Sequence, residues 1–102
     1  MKKKHAPYKS ANPFFENMLK DPEIRVFYEE EKAKTEIAMA VQASRFRAHL
    51  TQQELAKKIG TSQSVIARIE SGKDSRTPTL SLLARIAAAC GGAFQLKFLF
   101  SH

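Results

Sequence analysis

A chain of 102 residues is the size of one ordinary domain and too short for two independent cores. Hydrophobic residues make up 43%, enough for a packed interior and too many for wholesale disorder. Lys and Arg number 17 against 10 Asp and Glu, and this net charge of +7 points to a polyanionic partner. The surplus is lopsided: residues 1–36 hold 8 basic and 7 acidic side chains, whereas residues 37–102 hold 9 and 3. A single cysteine, Cys90, excludes an intramolecular disulfide framework. The charged start from Met1 to His5 is followed by no apolar run, and no stretch approaches the ~20 apolar residues of a membrane span. A soluble protein of a reducing compartment is expected.

In chain order, residues 1–12 are basic and aperiodic and read as a flexible arm. Residues 13–35 read as an N-terminal helical extension. Asn12-Pro13 has the form of an N-cap followed by proline at the first helical position, and Phe14, Phe15, Met18 and Leu19 follow. Asp21-Pro22-Glu23 repeats the start signal with acidic groups at the positive end of the helix dipole. No Gly or Pro interrupts the chain from there to His49, so one long helix or two abutting ones are expected, with Ile24, Phe27, Tyr28, Ile37, Val41 and Ala48 inward.

Thr51-Gln52-Gln53-Glu54 fits a capping box, in which the Thr51 hydroxyl accepts from the Glu54 amide while the Glu54 carboxylate reaches back. Leu55, Ala56 and Ile59 continue an apolar stripe, and Gly60 stands where a left-handed C-terminal residue belongs. Thr61-Ser62 restarts a helix carrying Val65, Ile66 and Ile69, which ends at Ser71-Gly72. Two short helices around a glycine turn are the sequence form of a helix-turn-helix, here within a domain over residues 36–92. A loop from Lys73 to Pro78 leads to Thr79, the N-cap of a last helix with Leu82, Leu83, Ile86 and Ala87 inward and Gly91-Gly92 at its end. In residues 93–102, Phe94, Leu96, Phe98 and Phe100 alternate with other residues at a strand period. A short C-terminal β-strand is expected there, paired with a second copy or with a partner sheet, because a lone strand leaves its backbone unsatisfied.

The run TQQELAKKIGTSQSVIARIESGK, Thr51 to Lys73, resembles the helix-turn-helix of the lambdoid-phage repressor and Cro superfamily, often called Xre-like. The resemblance covers roughly Val41 to Gly91 through the pattern TQxELAxxxGxSQxxIxxxExG. It implies an all-α, λ-repressor-like domain, with the N-terminal extension and the C-terminal strand added to it. The second motif helix, about Gln63–Glu70, would enter the major groove of DNA. By the same resemblance Ser62, Gln63, Ser64 and Arg68 fall on base-reading positions, and Ala67 could meet a thymine methyl. Gln suits adenine and Arg suits guanine O6 and N7. Gln52, Lys73 and Arg76 fall on phosphate-contacting positions, with Lys57 and Lys58 as lesser contributors. Arg45 and Glu70 match a structural salt bridge, which makes both scaffold residues rather than readers.

The helical extension, the overall size, and the phrase SQSVIARIESG at Ser62–Gly72 followed by a Pro and a helix-strand ending are similar to HigA-type antitoxins. That resemblance implies a cytoplasmic, nucleoid-associated bacterial homodimer that represses its own operon at a palindromic operator. It also implies a small basic RelE/HigB-like ribonuclease toxin as partner, masked by the N-terminal helices or the C-terminal strand. A stand-alone Xre-family regulator with no toxin is the alternative. Glu29-Glu30-Glu31 is either a face for a basic partner or a solvated helix surface. His5, His49 and His102 lack metal-ligand spacing, and Cys90 amid alanines reads as a small core residue, so no metal, cofactor or catalytic site is expected. A small basic ribonuclease would share this size and charge but leaves Thr51–Lys73 without a purpose.

Overall fold

The computed structural model describes residues 12–100 as five helices: α1 (Pro13–Met18), α2 (Pro22–Arg47), α3 (Gln52–Ile59), α4 (Gln63–Ser71) and α5 (Leu80–Ala89). The basic arm lies, but for Asn12, outside the described residues. Two units are distinguished, one made of residues 12–32 together with 96–100 and the other of Ala33–Gln95.

In the first unit the Asn12 side chain accepts from the Phe14 and Phe15 amides at 3.0 and 3.4 Å, with Pro13 pre-set at the first helical position. The Asp21 carboxylate accepts from the Glu23 amide at 2.9 Å and opens α2. Phe15 packs edge-on against Tyr28 with ring centroids 5.3 Å apart, and Leu19 is buried. Ile24 and Phe27, expected to face inward, are exposed, Phe27 by 63%. An uninterrupted helical period identifies a face but not whether a neighbour covers it, and among the described residues Ile24 is covered only in part and Phe27 hardly at all.

Among the described residues, the extended core lies in the second unit. Val41, Leu55, Ala56, Ile59, Ile66, Ile69, Leu83 and Ile86 form it, and Leu55 and Ile66 are fully enclosed. Ile37, Leu50, Val65, Leu82, Ala89 and Cys90 pack against its edge. α2 contributes Ala38, Val41 and Arg45, which recur at helical spacing. Ala38 is buried because Gly72 comes close: a Cβ on Gly72 would sit 3.4 Å from that of Ala38, and φ there is +69°. Glycine therefore both ends α4 and lets the chain approach α2. α2 closes with His49 in the left-handed region at φ 60°, a conformation costing a non-glycine residue roughly 1–2 kcal/mol. In return the Leu50 amide reaches the Arg45 carbonyl at 3.1 Å, and Leu50 turns onto the core. The remaining ends follow local chemistry: Thr51, Ser62 and Thr79 accept from the amides three residues on, and the capping box of Thr51 and Glu54 is complete in both directions.

The expected C-terminal strand is not formed: residues 93–100 are exposed and have no regular secondary structure, and no strand forms among the described residues. Alternation of apolar side chains supplies a two-faced ribbon but not the second ribbon that a ladder of hydrogen bonds requires. An all-α architecture remains. Because Leu55 is sealed at the centre of the core, Leu55→Ala should cost about 2–5 kcal/mol in equilibrium denaturation. Thr51→Ala, which removes only a cap, should cost about 1 kcal/mol.

Candidate nucleic-acid interface

α3 and α4 are joined by a turn whose geometry follows from three residues. Gly60 takes φ 75°, the Thr61 amide closes onto the Ala56 carbonyl at 2.9 Å, and the Ser62 hydroxyl accepts from the Val65 amide at 3.3 Å. Ile59, Ile66 and Ile69 are buried on the inner side. Ser62, Gln63 and Ser64 are left exposed together at the start of α4, while Ala67 and Arg68 are half-buried.

Gln52, at the start of α3, is linked to this tip. The Gln63 side-chain nitrogen donates to Gln52 Oε1 at 3.2 Å, and Gln52 Nε2 donates to Glu70 Oε1 at 3.0 Å. Glu70 in turn accepts both Arg45 Nε at 2.7 Å and Arg45 Nη2 at 2.9 Å, a bidentate pair. Arg45 spends a further donor on the Leu50 carbonyl at 2.9 Å, and its guanidinium lies 4.6 Å from the centre of the Phe46 ring. The two charged side chains are 9% and 4% exposed. An open groove lined by Arg45, Phe46, His49, Gln52, Gln53 and Gln63 borders the network. Burial pushes the Glu70 carboxyl upward, but the hydrogen bonds from Arg45 and Gln52 and the charge of Arg45 outweigh it and hold the group below its usual 4.5. The bond to Glu70, opposed in part by burial, raises Arg45 above its usual range.

Arg68 stands apart from the exposed tip. Its Nε donates to Asp74 Oδ2 at 2.9 Å, and it lines a narrow cleft with Ile37, Ile69, Asp74 and Pro78. Asp74 also accepts the Arg76 amide at 3.1 Å and Arg76 Nε at 3.4 Å. The bond from the Arg76 backbone, with those from Arg68 and Arg76, holds the Asp74 carboxyl below 3.8. Lys73 is exposed, with its amide donated to the Ser71 hydroxyl at 3.1 Å. Lys57 and Lys58 are exposed on α3. Asp74 escaped the sequence reading, although an acid six residues after one arginine and two before another is a usable signal. Its two ion pairs partly neutralise two of the expected DNA-contacting cations, Arg68 on α4 and Arg76 on the loop that follows it.

Elsewhere, Cys90 caps α5 half-buried beside the core, and burial raises its thiol above the usual range. No group of metal-ligating side chains occurs among the described residues, and no helix among them is long and apolar enough to cross a membrane.

Removing Arg45 strands a buried carboxylate, so Arg45→Ala should cost about 3–5 kcal/mol by chemical denaturation. Glu70 and Asp74 both ionise more readily when folded than unfolded. Their stabilisation should be fully present above about pH 5 and fade as the pH falls through the folded values. Melting temperatures recorded from neutral to acid pH should therefore decline, and more gently in Glu70→Gln than in the parent chain.

No curated protein matches the chain. A family model described as helix-turn-helix matches residues 44–96, just over half of the chain, from the end of α2 through α5 to Leu96. With the glycine turn between α3 and α4 and the exposed tip of α4 in place, the chain belongs to the helix-turn-helix family of Xre, or λ-repressor-like, DNA-binding transcriptional regulators.

Proposed function

We propose that the chain is a sequence-specific repressor that binds a palindromic operator as a homodimer and serves as the antitoxin of a type II toxin–antitoxin pair. One observation carries the DNA half: Gln63 and Gln52, at the starts of the two motif helices, meet at 3.2 Å beside the exposed Ser62 and Ser64. That places a hydrogen-bonding tip at the end of α4, the end that repressors of this kind direct into the major groove. Ser62, Gln63, Ser64 and Arg68 read base edges, and Gln52, Lys73 and Arg76 hold phosphates. Arg68 and Arg76 exchange Asp74 for DNA at small cost, since ion pairs in contact with solvent are screened and hold their partners weakly. Two α4 helices related by a dyad reach half-sites about 34–36 Å apart.

The dimer and the antitoxin role rest on resemblance and on apolar surface. Residues 93–100 expose Leu96, Phe98, Leu99 and Phe100, an unpaired ribbon suited to pairing with a second copy. The first unit exposes Phe14, Val26 and Phe27, a surface suited to a small basic ribonuclease toxin of the RelE/HigB kind. A second reading, a stand-alone regulator, is favoured by the family match, which covers the DNA-binding segment and needs no toxin.

Gln63→Ala should lower discrimination between operator and scrambled duplex by about 1–3 kcal/mol, whereas Lys73→Ala should weaken both alike and reduce the salt slope by about one. Titrations at several salt concentrations separate the two. Pull-down of the tagged chain from its host, with a ribonuclease assay of any stoichiometric partner, tests the antitoxin role. A small basic nuclease encoded alongside and silenced by the chain supports it. A dimer that carries DNA and no protein leaves the stand-alone regulator.

A further inference from the structure

We infer that Glu70, buried and out of reach of any base, sets which way round the Gln63 amide faces and thereby gives the protein its preference for adenine at the base pair Gln63 reads. The inference rests on the base-reading role proposed above and adds a positioning residue to it.

Polarity is what links Glu70 to Gln63. A side-chain amide has a donor end and an acceptor end, and rotation by half a turn exchanges them at little steric cost. An ionised carboxylate only accepts. Glu70 is ionised because Arg45 forks onto it at 2.7 and 2.9 Å, and Arg45 itself has no acceptor to offer. Gln52 must therefore present its NH₂ to Glu70, which it does at 3.0 Å, and its oxygen is left facing Gln63. Gln63 must then present its own NH₂ to Gln52, which it does at 3.2 Å. The directionality of a buried ion pair passes through two amides to the exposed tip of α4.

What remains on Gln63 is one N–H and a carbonyl oxygen side by side. Adenine offers N7 as acceptor and N6–H as donor in the major groove, the complement of that pair, whereas guanine offers two acceptors at N7 and O6. A Gln63 free to turn could aim its NH₂ at either purine. Held in one orientation, it rejects guanine because its oxygen would face O6. Ser62 and Ser64 can donate or accept equally, so the direction built into Gln63 is the main source of purine discrimination at this tip.

The test uses the full chain and its variants Gln63→Ala, Glu70→Gln and Gln52→Met, with a library of randomised duplexes as the probe. Gln63→Ala identifies the base pair that Gln63 reads. Glu70→Gln, of the same shape but able to donate, should lower adenine-over-guanine preference at that pair by about tenfold while leaving the other positions as they were. Gln52→Met leaves the Arg45–Glu70 pair whole and should produce the same loss, so the outcome survives a Glu70 variant that fails to fold. A purely structural Glu70 would instead lower the melting temperature and weaken all sequences together. In the free protein, the two Gln63 amide protons should give separate, shifted NMR signals that collapse toward those of a free glutamine in either variant. Gln63 signals unmoved by a folded variant, or adenine preference retained in it, overturn the relay. A parent chain that enriches no sequence overturns the base-reading role beneath it, and the amide signals still decide the relay.

Discussion

A guanidinium and a carboxylate with less than a tenth of their surface in water hold the second unit's helices in register. Arg45 comes from the last turns of α2 and Glu70 from the end of α4, and both sit where an apolar pair would pack with less desolvation. What such a pair provides is direction. Hydrophobic side chains tolerate a sliding of one helix along another, whereas a two-pronged ion pair has a single acceptable geometry. Arg45 is further fixed by the Leu50 carbonyl, itself delivered by the left-handed turn at His49. The strained residue, the ion pair and the starts of both motif helices form one connected structure, and the exposed tip of α4 inherits its precision from that interior.

The loop after α4 follows a different logic. Its cations are short of neither solvent nor partners, and Asp74 gathers Arg68 and Arg76 without burying either. The arrangement is loose by comparison, and solvent screens it. Rigidity is concentrated at the helix starts, where side-chain hydrogen bonds link α3, α4 and the buried ion pair, and adaptability at the loop, where exposed charges pair loosely.

How much could be read from residue order depended on how local the cause was. The Thr51–Glu54 capping box, the left-handed Gly60, the helix restart at Thr61-Ser62, the Thr79 cap and the core stripe Leu55, Ile59, Ile66 and Ile69 all act within a few residues of one another, and all were legible. The Arg45–Glu70 pair was reached only through resemblance, because nothing in a stretch of 25 residues announces that its ends meet. The bonds joining Gln52 to Glu70 and Gln63 span 18 and 11 residues and left no periodic trace. Two errors share one origin. Phe27 on α2 and the alternating residues after Ala93 both carry the right period for burial, but burial needs an opposing surface, and a single chain's pattern does not say whether one exists.

The exposed ribbon at residues 93–100 has a consequence for the handling of the purified protein. Apart from Lys97 it bears no charge, and it holds three phenylalanines and two leucines with no proline or glycine. That composition is the one from which intermolecular cross-β stacks grow. Lys97 acts as a gatekeeper in the middle of the run, since copies stacked in register would bring identical ammonium groups to the strand spacing of about 4.8 Å. Concentrated preparations in high salt, where that repulsion is screened, are where slow fibrillar loss of material will begin.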